Sequence, residues 1–208
     1  MRMRKKKNSE KRIQACEDFL QWMGIFAEDK PIHLEIGCGK GDFICAMAKK
    51  YPDINFIAVE KISDIVVMAL DKAKSENLPN VKFLISDANK LAELFKPQTI
   101  AQIYLNFSDP WPKRYQHHNR LTSEKFIEVY KKILAPKSGI RLKTDNRDFF
   151  DFSAKNLSAG GFYVNIKTYD LYSSEFFDPD ENIQTEYEKN FAAKNTPICF
   201  LEAIFSSV

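Results

Sequence analysis

Apolar positions along the chain fall into short runs, separated by stretches where they recur every three or four residues. Runs at 32–36, 54–60, 81–85, 100–105, 139–144, 162–169 and 197–205 read as strands, several of them apolar throughout, as a strand covered on both faces would be. Helical periodicity fills the gaps. It covers 10–24, with Ile13, Cys16, Phe19, Leu20 and Met23 on one face, and 42–50, with Phe43, Ile44, Met47 and Ala48. It returns at 63–77 with Ser63 as N-cap, at 89–95, at 121–134 after Thr122 or Ser123, at 148–158 before Gly160-Gly161, and at 184–194. Pro31, Pro52, Pro79 and Pro136 punctuate the pattern, and 172–181 is a polar, acidic loop. Strands alternating with helices predict a parallel sheet with right-handed crossovers. The long irregular segment before the last strand predicts that this strand pairs antiparallel beside the sixth. The expected fold is α/β: a doubly wound, mostly parallel seven-stranded sheet with one antiparallel strand near the edge.

Length and composition agree with one such domain spanning 1–208. At 44% hydrophobic and 28% charged residues the chain is an ordinary globular sequence, with no apolar run approaching a membrane span. The basic N-terminus is not followed by an apolar run, so it is not a secretory signal. Cys16, Cys38, Cys45 and Cys199 show neither a CxxC pair nor metal-ligand spacing, which predicts reduced thiols, no metal and a cytoplasmic protein. Charge is unevenly spread. Residues 1–12 carry seven basic side chains against one acid, so the net +3 is a +6 tail on a body of −3. A short basic tail, flexible over about residues 1–9, suits a polyanion such as nucleic acid; the alternative is a solvated extension with no partner.

Chemistry gathers where strands end, the place at which open α/β sheets bind ligands. Gly37, Gly39 and Gly41 let the backbone turn tightly after the first strand. The sixth position of a dinucleotide fingerprint is Asp42 rather than glycine, and Lys40 is followed by Gly41 rather than Ser or Thr, so neither that fingerprint nor a P-loop is present. Glu35 just before the turn would repel a pyrophosphate but suits a cationic sulfonium and amino group. Glu60 ends the second strand, where a carboxylate can accept from a ribose diol. Asp87 follows the third strand, where an adenine amino group would lie. After the fourth comes Asn106-Phe107-Ser108-Asp109-Pro110-Trp111-Pro112-Lys113, a carboxylate, an indole and an amine in a loop stiffened by two prolines. A nicotinamide-dependent reductase would need a Tyr-x-x-x-Lys pair. Here that is Tyr163 and Lys167 in a predicted strand, ~13 Å apart rather than the ~6 Å of a helix turn.

Four motifs, Leu34-Glu35-Ile36-Gly37-Cys38-Gly39-Lys40-Gly41, Ser108-Asp109-Pro110-Trp111-Pro112-Lys113, Lys143-Thr144-Asp145 and Thr185-Glu186-Tyr187-Glu188, resemble those of bacterial tRNA (guanine-N7-)-methyltransferases. The resemblance runs from about residue 10 to 205. It implies the class I, Rossmann-like methyltransferase fold, S-adenosyl-L-methionine as methyl donor with no metal, and tRNA as partner, methylated at a guanine of the variable loop. It implies that Glu35, Glu60, Asp87 and Asp109 contact the donor, with Gly37, Gly39 and Gly41 forming the turn, and that Asp109 is catalytic. Lys113, Asp145, Thr185, Glu186, Tyr187 and Glu188 match positions assigned to the guanosine. Arg114, Tyr115, His117, His118 and Arg120 are expected to face RNA, although this run is less basic than the family's. The protein is expected to be a monomer or homodimer. A catalytically inactive tRNA-binding module on the same fold is the alternative, opposed by the presence of all four carboxylates.

Overall fold

The computed structural model describes residues 30–192 and 194–205. The expected helix over 10–24 and the basic tail lie outside the described residues. The chain divides into two compact units between Ala88 and Asn89.

The first unit holds β1 (Ile32–Ile36), α1 (Asp42–Lys50), β2 (Asn55–Glu60), α2 (Ser63–Ser75) and β3 (Val81–Ile85). The strands pair in parallel with β2 in the middle. Five of the six β2 residues are buried, and Phe56, Ile57 and Ala58 are fully so. Burial on both faces is why this run is apolar at successive positions, each large side chain contributing roughly 1.5–3 kcal/mol. Asn80 joins the elements at their ends: its amide donates to the carbonyls of Ala48, Tyr51 and Ile54, taking up acceptors that the end of α1 leaves open. The α2 helix starts where expected, but its N-cap is Ile62 and no Ser63 side-chain cap forms. The Ile62 carbonyl takes the Ile65 and Val66 amides at 3.0 and 3.1 Å, and the Glu60 carboxylate accepts from the Lys61 and Ile62 amides just ahead of the helix at 2.8 and 3.0 Å.

The second unit holds α3 (Leu91–Leu94), β4 (Ile100–Asn106), α4 (Glu124–Ile133), β5 (Leu134–Thr144), α5 (Arg147–Ala159), β6 (Phe162–Thr168), α6 (Glu186–Ala192) and β7 (Cys199–Phe205). Strands β4 and β5 are parallel. As expected, β7 runs antiparallel beside β6, and it pairs antiparallel with β5 on its other side. Gly139 permits that second pairing, because a Cβ there would lie 2.7 Å from the Ala203 carbonyl oxygen. Strand β5 begins at Leu134, five residues before the expected start. Three residues of β4, Ile100 to Gln102, face six of β5, Leu134 to Gly139, and the bulge contains Pro136 and a left-handed Lys137 (φ 62°). Proline lacks the N–H of a regular ladder but fits such an irregularity. The 172–181 segment lacks regular secondary structure, as its composition predicts.

Candidate functional site

In the first unit the chemistry centres on the turn after β1. Gly37, Gly39 and Gly41 all have positive φ, at 81°, 55° and 77°. They differ in surroundings. A Cβ on Gly41 would sit 2.6 Å from the Ala69 Cβ, so this glycine serves the approach of α1 to α2. A Cβ on Gly37 or Gly39 would meet nothing within 4 Å, so the turn is open there. The Gly37 amide donates to the Val59 carbonyl at 2.7 Å, fixing the turn against the end of β2. Glu60 draws the same parts together: one carboxylate oxygen takes the Lys61 and Ile62 amides, the other the Gly39 amide at 3.4 Å.

Glu35 is 2% exposed and Glu60 half-buried. Both push the Cys38 thiol up, adding to the larger effect of its burial, so the turn lies in a negative field. That field and an open glycine backbone fit a donor carrying a sulfonium and an amino group; a pyrophosphate would be repelled. Glu60 retains acceptor capacity for a ribose diol beyond its three amides. Asp87 is exposed after β3. Two residues here escaped the sequence reading: Ile62 at 41% and Ile85 at 39% exposure are large apolar side chains at the carboxyl ends of β2 and β3. Each lies two residues from a strand-end acid, Ile62 after Glu60 and Ile85 before Asp87, which was the available signal.

In the second unit β4 delivers the Pro-Trp-Pro loop. Phe107 (φ 50°) and Trp111 (φ 41°) both adopt left-handed backbone, rare for aromatic residues. The Phe107 amide donates to the Lys143 carbonyl at 2.8 Å, and its ring stacks with those of Tyr187 and Phe191, centroids 6.3 and 5.8 Å away. Asp109 and Lys113 are exposed. Among the described residues no hydrogen-bond partner holds the Asp109 carboxylate, which leaves it available to a ligand. Asp145, also exposed, follows β5, where the Asn146 side chain caps α5 by accepting from the Phe149 amide.

Thr185 to Glu188 are split between two environments. Thr185 Oγ1 accepts from the Glu188 amide at 3.0 Å and the Glu188 carboxylate accepts from the Thr185 amide at 3.4 Å, a capping box at the start of α6. Glu188 is fully buried and also takes both bonds from Lys143 Nζ, at 3.0 and 3.1 Å, and one each from Tyr172 Oη and Asn182 Nδ2. Burial, ahead of every other cause, pushes the Tyr172 phenol up to about 12, which keeps its hydrogen on this bond. Burial likewise lowers Lys143 from the usual lysine range, with Glu188 pulling the other way. Glu186 and Tyr187, by contrast, are exposed.

Arg114, Tyr115 and His118 are exposed, and His117 is half-buried with its ring edge-on to Phe152. Arg120 corrects the expectation. It is 3% exposed, because its guanidinium is spent on the chain's own carbonyls and on the rings of α5.

A family model described as "Putative methyltransferase" matches residues 29–201. A tRNA (guanine-N(7)-)-methyltransferase of Listeria monocytogenes is 46% identical over 195 residues, covering 93% of this chain and 89% of that one. The enzyme of the same name from Geobacillus thermodenitrificans is 42% identical, covering 98% and 97%. The chain belongs to the tRNA (guanine-N(7)-)-methyltransferase family. Its fold is that of methyltransferases more widely: the 16S rRNA methyltransferase KamB superposes at TM-score 0.64 and 13% identity over 99% of this chain and 97% of that one. Among the described residues no group of three or more His, Cys, Asp or Glu is gathered as a metal site requires, and no helix is long and apolar enough to cross a membrane.

Proposed function

We propose that this protein transfers the methyl group of S-adenosyl-L-methionine to N7 of a guanine in the variable loop of tRNA, working in the cytoplasm as a single methyltransferase domain, monomeric or homodimeric. The observation that carries the reading is the 46% identity, over 93% of the chain, to a protein named for this reaction. The open glycine turn with its two flanking carboxylates supports the choice of donor. Bound there, S-adenosylmethionine supplies an electrophilic methyl group on a sulfonium.

The chain's residues take the following parts. Glu35 receives the donor's amino group, Glu60 its ribose hydroxyls and Asp87 its adenine amine, while Ile62 and Ile85 offer apolar surface to the adenine ring. Guanine N7 carries a free lone pair, so the new N–C bond forms as the C–S bond breaks and no proton has to leave N7. A general base is therefore not needed. The base must be held in line, and the positive charge that grows on its ring must be met. We assign the second task to Asp109, which the family resemblance also links to the donor. Asp145 and Glu186 accept from the guanine N1–H and exocyclic amine, Lys113 donates to O6 or a phosphate, and Tyr187 offers its exposed ring. Thr185 and Glu188 shape this surface through the cap of α6. Arg114, Tyr115, His117 and His118 face the RNA backbone and unstacked bases.

The test is transfer of tritium from methyl-labelled S-adenosylmethionine into tRNA, with chain scission at 7-methylguanosine to locate the label. Label at N7 of a variable-loop guanine is expected. Absence of transfer, or label on another atom, would refute the reading.

A further inference from the structure

Arg120 is a buried cation without a carboxylate partner within 4 Å among the described residues. Its Nε donates to the Pro110 carbonyl at 2.7 Å and its Nη2 to the Trp111 carbonyl at 3.4 Å. The guanidinium lies over the Phe152 ring at 4.5 Å and near that of Phe149 at 5.8 Å, both on α5. Its own backbone is tied on both sides, the amide donating to the His117 carbonyl and the carbonyl accepting from the Ser123 amide. Burial lowers its pKa, and Asp148 partly offsets this from a distance.

The two carbonyls it holds belong to the loop that carries Asp109 and Lys113. That loop needs holding. Trp111 stands in left-handed backbone and precedes Pro112, two constraints a free chain would relax. A planar guanidinium has donors in a fixed fork, so it can grip two successive carbonyls in a way an ammonium cannot. Its aromatic bed on α5 ties the grip to a thirteen-residue helix.

We propose that Arg120 is a positioning residue for the Asp109–Lys113 loop, clamping Pro110 and Trp111 against α5, and that it does not bind RNA phosphate. The catalytic consequence rests on the methyl transfer proposed above; the clamp itself does not. The chain has two tryptophans, so a Trp22→Phe background leaves Trp111 as the sole reporter inside the loop. In that background Arg120→Met, Arg120→Lys and Arg114→Met are compared with the parent at a temperature where circular dichroism shows all of them folded.

Arg120→Met is expected to lower kcat by about ten- to a hundredfold, the scale of a misplaced reacting group. Its affinity for tRNA and the salt dependence of that affinity should stay those of the parent, while Trp111 emission shifts red and its anisotropy falls. Arg120→Lys keeps the charge but not the fork, so it should recover only part of kcat; it is also the variant to read if Arg120→Met does not fold. Arg114→Met should instead flatten the salt slope by about 0.7–0.9. If Arg120→Met weakens tRNA binding and flattens the slope as Arg114→Met does, with kcat unchanged, Arg120 is a phosphate ligand and the proposal fails. Unchanged Trp111 emission and anisotropy in both Arg120 variants would also overturn it, whatever the reaction. If the parent transfers no methyl group, the functional reading fails, and the Trp111 signal alone decides the clamp.

Discussion

Replacing Lys143 with methionine should strand a buried anion. Lys143 is 8% exposed, and its ammonium gives two bonds to Glu188, one to the Ile183 carbonyl at 3.3 Å and one to Asn182 Oδ1. Burial lowers its pKa, with Glu188 pulling the other way and Arg141 adding to the lowering, so taking the ammonium out of water is a substantial cost. The pair as a whole is therefore a weak source of stability, and either half alone is a liability. Breaking such a pair costs about 3–5 kcal/mol. Glu188 would keep three donors, Tyr172 Oη at 2.8 Å, Asn182 Nδ2 at 3.2 Å and the Thr185 amide at 3.4 Å, which points to the lower end, about 3 kcal/mol. Against a total of roughly 5–15 kcal/mol the variant should still fold. Urea unfolding at pH 7 measures the loss, and adding Glu188→Gln to the same chain should recover at least about 1 kcal/mol, since no charge is then buried. A loss below about 1 kcal/mol at an unchanged m-value, or a double variant no better than the single one, would refute this account.

Three further outcomes are expected. Asp109→Ala should abolish methyl transfer with the thermal midpoint unchanged, since the side chain is exposed and holds nothing in the fold; turnover near the parent's would remove it from catalysis. Glu60→Ala should weaken S-adenosylmethionine binding by roughly 1.5–3 kcal/mol through lost charged hydrogen bonds, read by calorimetry, and unchanged affinity would count against the ribose assignment. In a Cys16→Ser variant the folded protein should show almost no reaction with a thiol reagent at pH 8. Burial raises Cys38 and Cys199 and pushes Cys45 up to about 12, so rising pH does not generate thiolate where an ordinary cysteine would. Fast modification of any of the three before unfolding would contradict that.

Strand positions were legible because a strand buried on both faces has no option but successive apolar residues, and glycine or proline marks its ends. β2 followed that rule to within one residue, whereas β7, found to within two, alternates buried and half-buried positions. Where the reading departed from the structure, an interaction distant in sequence had overruled a local rule. Pro136 looks like the end of a helix and lies in a bulge of β5. Ser63 has the chemistry of a cap, but the cap position falls on Ile62, whose carbonyl takes the Ile65 and Val66 amides. A basic residue in a basic run is expected on the surface, and only the carbonyls of Pro110 and Trp111 ten and nine positions earlier explain why Arg120 is inside. Thr185 and Glu188 could have been recognised locally, since Thr-x-x-Glu is the capping-box pattern; their motif resemblance drew attention to ligand contacts instead.

The seven-residue α6 helix has a consequence for the order in which the chain folds. A helix of two turns does not persist alone in water. This one closes its cap with a carboxylate whose buried charge is balanced by Lys143, 45 residues earlier on β5. The helix must wait for that strand. Mutations in α6 should then leave the refolding rate nearly untouched and speed unfolding, so that the segment bearing Glu186 and Tyr187 is the last to form and the first to open.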